Sequence, residues 1–309
     1  MTFSARLPTE RTSNRLTQAV HQARAEARPI IDLTESNPTR AGFEYPSDLL
    51  APLAGAKGLV YEPHPFGRPD ARQAIARDYA RRALTVEADR IVLTASTSEA
   101  YTVLFKLLAD AGDEVVVPRP SYPLFDHLTR LDLLAAKPYE LEYHGSWSID
   151  VGSVERALTS RTRALLLVSP NNPTGSYVTA EELNRLAALC ASRGVPIIAD
   201  EVFADYELRA GAGAGAGRVL NASDVLTFSL GGLSKSAGLP QVKLAWIAAA
   251  GPDIVVAEAL ERLEIICDTY LSVSTPIQLA APLLLDARRN LSHDVLFDQY
   301  VQWLSLIHI

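Results

Sequence analysis

The stretch RALLLVSPNNPTG (163–175), followed by PIIADEVFADY (196–206), decides the fold. Each begins as an almost uninterrupted apolar run and ends in polar residues. A half-buried strand alternates apolar and polar positions. These runs do not, which marks strands buried on both faces. Between them Ala180–Ser192 reads as a helix. Doubly buried strands separated by helices make a mainly parallel sheet with helices on both faces, an α/β fold.

The same pattern continues outward. Strands are expected at Arg90–Thr94, Glu114–Val117, Ala164–Val168, Pro196–Ala199, Val225–Ser229 and Leu244–Ala249. Helices are expected at Ser98–Ala109, Tyr122–Leu131, Ala180–Ser192 and Asp253–Ile266, with earlier ones over 14–28 and near Asp70–Arg82 and a short strand at Ile30–Leu33. GAGAGAG (211–217) reads as a flexible surface loop, because no strand directly precedes it and no Gly-Lys-Ser/Thr follows. No GxGxxG follows the first strand, which argues against a nicotinamide dehydrogenase.

Composition sets the bounds. The chain has 309 residues, 48% hydrophobic and 21% charged, enough for a sizeable core and against wholesale disorder. A net charge of −7 supplies no basic footprint, so neither nucleic acid nor an anionic membrane is an expected partner. Cys190 and Cys267 sit in no CxxC or ligand cluster and read as buried, reduced thiols; no metal site is expected. The polar N-terminus lacks the apolar core of a signal peptide, no apolar run is long enough to span a bilayer, and the expected location is the cytoplasm.

Ligands of open α/β sheets sit at the carboxyl ends of the strands. The loops there are TASTSE (94–99), PRPSYP (118–123), SPNNPTG (169–175), DEVFADY (200–206) and SLGGLSKS (229–236). Ser96, Thr97 and Ser98 open a helix, where free amides favour an anion, or they are an ordinary N-cap. Lys235 is either a solvated loop lysine or an amine able to form a Schiff base with a carbonyl. Lys243 could neutralise a phosphate or lie on the surface. Asp200 caps a turn or partners a buried cation. Asn171 and Asn172 belong to a Pro-fixed turn. Tyr122 is a flat stacking surface or half-buried packing.

Taken together, in order and spacing, these loops resemble the fold-type I pyridoxal-phosphate-dependent aminotransferases of the class I/II family. The resemblance runs from about Asp32 to Ala287. It rests most on SPNNPTG, ADEVFADY (199–206) and GGLSKSAGLPQVKLAW (231–246), supported by ESNP (35–38), YEPHPFG (61–67), LTASTSEA (93–100) and PRPSYP. It implies pyridoxal 5'-phosphate as cofactor, with Lys235 forming the Schiff base and moving the proton at the substrate α-carbon. Asp200 would pair with the ring nitrogen and Asn172 with the ring oxygen, and Tyr122 would stack on the ring. Ser96, Thr97, Ser98 and Lys243 would hold the phosphate. Tyr61 would reach the neighbouring subunit's cofactor, implying a homodimer. Ser36 would belong to a lid near the substrate carboxylate, with Asn172 beside it. The implied substrates are an L-amino acid, slightly favouring a small or neutral one, and a 2-oxo acid. A β-lyase or decarboxylase would use the same Lys/Asp/Asn set; a non-catalytic binding domain would need none of it.

Some positions depart from the family pattern. Phe203 stands where many relatives carry a tyrosine whose hydroxyl serves the ring oxygen, leaving Asn172 alone and raising the Schiff base pKa. Gly232 replaces a frequent serine, Ser96 a frequent glycine, and Lys243 an arginine, giving a point charge in place of a fork. The implied organisation is an N-terminal segment of a small domain over 1–45, a large cofactor-binding domain over 46–290 and the start of an interdomain helix over 291–309. Family members continue into a C-terminal small domain whose arginine binds the substrate carboxylate, and no arginine follows Arg289. The apolar tail LSLIHI (304–309) leaves the helix pattern and is expected to be foreign to the parent gene.

Overall fold

The computed structural model describes residues 3–7, 13, 15–30, 37–40, 45–206, 213 and 216–290, with side chains to 286. Its elements in chain order are α1 (Arg15–Ala25), α2 (Pro69–Arg81), β1 (Ile91–Thr94), α3 (Thr97–Leu108), β2 (Glu114–Arg119), α4 (Leu124–Leu131), β3 (Ala135–Tyr143) and β4 (Trp147–Ile149). There follow α5 (Val151–Ala157), β5 (Thr162–Val168), α6 (Ala180–Arg193), β6 (Ile197–Asp200), β7 (Thr227–Gly232), α7 (Leu233–Ser236), β8 (Ala245–Ala250), α8 (Asp253–Tyr270) and α9 (Thr275–Asn290). They form one sheet in the order β1-β8-β7-β6-β5-β2-β3-β4. The pairings β2–β3, β2–β5, β5–β6 and β6–β7 are parallel. Strands β8 and β4 run against their neighbours.

The apolar runs do what their lack of alternation implies. In β5, Leu165 and Leu167 enter one core while Ala164, Leu166 and Val168 enter the other. In β6, Ile197 and Ala199 face the first core and Ile198 the second. The first core is closed by Ile75 and Tyr79 of α2, Leu183 and Leu186 of α6, and Ile277 and Leu284 of α9. The second is closed by Tyr101 and Phe105 of α3, Phe125 of α4 and Leu263 of α8. Burying each leucine of this kind stabilises the fold by about 2 kcal/mol. Helix α6 is delimited by its own sequence. Thr179 and Glu182 form a capping box at its start, and Gly194 ends it at φ 62°, where a side chain is disfavoured.

Strands β3 and β4 were not expected. They form the polar edge of the sheet, where side chains are mostly half-buried or exposed, so no continuous apolar run announces them. Helix α9 was also unassigned, and α8 continues past Ile266 to Tyr270. Ile30 is irregular; the rest of the expected strand Ile30–Leu33, Ser36 and the segment 291–309 lie outside the described residues. Of GAGAGAG, Gly213, Ala216 and Gly217 are described, and its end is tied down. Ala216 bridges to Thr179, and the Gly217 amide donates to the Val178 carbonyl at 2.8 Å. Gly217 approaches Leu183 so closely that a Cβ there would lie 2.7 Å from that side chain.

Both cysteines are free and buried, and burial raises each thiol to about 12. Among the described residues no His/Cys/Asp/Glu group is arranged to hold a metal, and no helix is long and apolar enough to cross a membrane.

Candidate active site

The carboxyl ends of β1, β2, β5, β6 and β7 open on one edge of the sheet, and the polar loops lie there. At the end of β1 the Ser96 hydroxyl caps α3, accepting from the Glu99 amide at 3.1 Å. Glu99 reaches back to accept from the Ala95 amide at 2.5 Å. The Ser96 hydroxyl is thus a helix cap, as the plainer reading had it. The amides of Thr97 and Ser98, in the first turn of α3, have no intrahelical acceptor and form the positive end of the helix dipole.

Strand β6 ends in Asp200. Its Oδ1 accepts from the Val202 amide and its Oδ2 from the Tyr101 hydroxyl, both at 3.1 Å. Burial pushes the carboxyl up to about 6, against the pull of these two bonds and of Lys235. Lys235 sits on α7, directly after β7. Burial lowers its amine and the charge of Asp200 opposes that shift. Its Nζ lies 5.5 Å from the centre of the Phe203 ring. Lys235 is thus brought close to Phe203 and within electrostatic reach of Asp200.

Tyrosines tie the lysine-bearing turn to its neighbours. The Tyr206 hydroxyl donates to the Lys235 carbonyl, Tyr177 donates to the Tyr206 carbonyl at 2.8 Å, and Tyr45 donates to the Gly238 carbonyl at 2.5 Å. SPNNPTG is tied to PRPSYP by Asn171. Its buried amide donates to the Pro120 carbonyl and Thr174 hydroxyl and accepts from Ser121. Asn172, beside it, is exposed. Tyr122 is also exposed and stands edge-on to Phe125 with ring centres 6.5 Å apart. Lys243 is exposed at φ 54°, and Tyr61 is 73% exposed. No described contact joins Tyr61 or Lys243 to the Lys235–Asp200 pair.

Sequence reasoning missed Tyr101 and Tyr206. Tyr206 lies inside a quoted motif but carried no expected role. Tyr101 lies on an apolar helix face, where a tyrosine reads as packing. A cleft of about 690 Å³ opens elsewhere, at the amino ends of β5–β7, lined by Thr162, Arg163, Pro196 and Leu226. It is remote from Lys235.

Residues 44–296 match the family "Aminotransferase class I and II". The chain belongs to that family. It is 30% identical over 270 residues to nicotianamine aminotransferase B of Hordeum vulgare, covering 84% of this chain and 48% of that protein. It is 27% identical over 289 residues to alanine aminotransferase of Mycobacterium tuberculosis, covering 89% and 65%. Among solved structures, alanine aminotransferase from Pyrococcus furiosus superposes with a TM-score of 0.78 at 25% identity, covering 93% of this chain and 72% of that one. The chain spans about half to two thirds of the length of the curated relatives it matches.

Proposed function

We propose that this chain forms the cofactor-binding body, over residues 46–290, of a pyridoxal-phosphate-dependent aminotransferase. The reaction moves an amino group from an L-amino acid to a 2-oxo acid. One observation carries the reading: a half-buried amine and a half-buried carboxyl, Lys235 and Asp200, follow strands whose carboxyl ends lie on the same edge of the sheet as the N-terminus of α3. This donor set fits pyridoxal 5'-phosphate. It supplies an amine for the aldehyde, an acid for the pyridine nitrogen and a helix N-terminus for the phosphate. When bound, the cofactor supplies the electron sink that makes the substrate α-proton removable.

The chain's own residues do the rest. Burial lowers the Lys235 amine, so more of it is neutral and able to accept a proton from the substrate α-carbon and return it. Asp200 in its ionised form holds a proton on the ring nitrogen. The Thr97 and Ser98 amides, with the Ser96 turn and Lys243, hold the phosphate. Asn172 donates to the ring oxygen without help from Phe203, whose ring offers the lysine an aromatic face instead. Tyr122 stacks on the ring. The exposed Tyr61 serves the second subunit of a homodimer, and Ser36 with Asn172 meets the substrate carboxylate.

The test is the visible spectrum of the purified chain with pyridoxal phosphate, before and after L-alanine or L-glutamate. The relative named for alanine makes L-alanine the first donor to try. A yellow band that collapses toward the pyridoxamine form is the expected result. A band that releases pyruvate and sulfide from cysteine, without amino transfer, would replace the transaminase reading by a β-lyase. Absence of any band would refute the proposal for this chain.

A further inference from the structure

Asp200 ends β6 and Glu201 follows it, its amide still bonded to the Leu230 carbonyl of β7, and the two side chains turn to opposite faces of the sheet, Asp200 to Tyr101 of α3 and Glu201 to Ser229 and the Tyr79 side. On the Asp200 face Tyr101 of α3 reaches the carboxyl; it is buried and in ring contact with Phe105 and with Phe125, the latter edge-on at 5.3 Å. Its hydroxyl donates to Asp200 Oδ2 at 3.1 Å, while the Val202 amide donates to Oδ1 at the same distance. The two donors reach different oxygens from different elements, so together they fix both the position and the rotation of the carboxyl group. A backbone amide alone would leave it free to turn about its χ2 axis. The phenol is buried and in contact with two aromatic rings, which restrains it from following a rotating acceptor.

We propose that Tyr101 is a positioning residue for Asp200: its phenol locks the carboxylate in one rotation, leaving its remaining lone pairs for the ring nitrogen that the proposed function assigns to it. The inference rests on the reading of Asp200 as the partner of the cofactor's ring nitrogen. Its physical content, a phenol–carboxylate bond that favours the ionised acid, can be measured without cofactor. The other charges that act on Asp200 are Glu201, from the opposite face, which disfavours its ionisation, and Lys235, which favours it.

The experiment is a pH titration of the cofactor-free chain carrying carboxyl-¹³C aspartate. The Asp200 signal is assigned by its loss in Asp200→Asn. Tyr101→Phe removes the donor and should move the Asp200 midpoint upward by about one pH unit, a roughly ten-fold change in proton affinity. Tyr139→Phe is the control. It removes a buried phenol bond of the same kind, to the Leu166 carbonyl at 3.1 Å, and should leave the midpoint in place. An unmoved midpoint in Tyr101→Phe overturns the proposal. If that variant does not fold, the reciprocal measurement replaces it. Asp200→Asn should lower the ionisation midpoint of the Tyr101 ring, whose phenol the Asp200 charge now raises, and an unchanged midpoint overturns the proposal equally. With pyridoxal phosphate bound, Tyr101→Phe should lower kcat about ten-fold with little change in KM, a split that general loosening of the pocket would not produce. A moved midpoint in a chain that never develops a cofactor band would leave the Tyr101 assignment standing and remove the transaminase reading alone.

Discussion

Asp200, which ends β6, and Glu201, which follows it, occupy opposite environments, and the contrast separates support from chemistry. Glu201 faces the α2 side and is enclosed: Ser229 donates to its Oε2 at 2.5 Å, and the Tyr79 hydroxyl links Ser229 to the Trp246 indole. The charges that favour its ionisation are Arg82 and Arg218, which stay protonated at any relevant pH. Asp200 faces the α3 side. Its two named donors leave lone pairs unused, and the charge that favours its ionisation is Lys235, an amine already lowered by burial. Both carboxyls are raised by burial. A group whose partners never titrate is suited to holding a fold. A group facing a titratable amine at a loop-lined edge is suited to moving protons.

Removing the amine is the most severe way to test that contrast. Lys235→Ala should abolish borohydride-reducible attachment of pyridoxal phosphate while far-ultraviolet circular dichroism stays unchanged. Attachment that survives would refute the assignment of Lys235. Asp200→Ala comes next: the linkage should persist, while the half-reaction with the amino acid slows by about a hundred-fold or more. The conservative Asp200→Asn adds a stability reading. The Asp200 carboxyl rises from an ordinary value near 3.8 to about 6 in the folded chain. Its contribution to stability is therefore fully present below the unfolded value and is lost as pH rises through about 6. Urea unfolding should show the wild-type chain losing stability relative to Asp200→Asn across that window. A flat difference between pH 4 and 7 would contradict the burial of this group.

How much of this was legible in the sequence follows from the same physics. Strands β5 and β6 announce themselves because both faces are buried and the apolar run is unbroken. Strands β3 and β4, at the exposed edge, carry ELEYHGSW and announce nothing. Asp200 and Lys235 stand out only through the order of their loops, since each alone is an ordinary residue. The supports of the site were not found. Tyr101 reads as helix packing until the bond to Asp200 is seen. Tyr79 and Ser229 are 150 residues apart, and no local pattern couples a helix tyrosine to a strand serine at that distance. The Asn171 staple was hidden by its neighbour: in SPNNPTG both asparagines look like turn residues, and only burial tells the structural one from the exposed one.

Ser229→Ala then probes the enclosed side without touching the chemistry. It leaves a buried Glu201 oxygen without its hydroxyl donor and takes a partner from Tyr79. It should cost about 2 kcal/mol of unfolding free energy. The spectrum of the bound cofactor and its response to L-alanine should not change. A loss of spectral response equal to that of Asp200→Ala would erase the distinction between the two faces.

Glu201→Gln is the mildest and the most informative change. It keeps the shape and one oxygen acceptor for Ser229, and it removes a charge that burial disfavours. It also forfeits attraction to Arg82 and Arg218, so the opposing effects should nearly cancel, within about 1 kcal/mol at neutral pH. The pH dependence decides which effect dominates. The folded Glu201 carboxyl is raised, chiefly by burial, so its stabilising contribution is present below the unfolded value and declines as pH rises through the folded one. The advantage of wild type over Glu201→Gln, measured by urea unfolding, should be greatest in acid and shrink toward neutrality. An advantage that grows with pH would mean that the guanidiniums outweigh burial and that Glu201 is the anion of a buried ion pair. Asp200→Asn should show the same slope together with lost chemistry, whereas Glu201→Gln should show the slope alone.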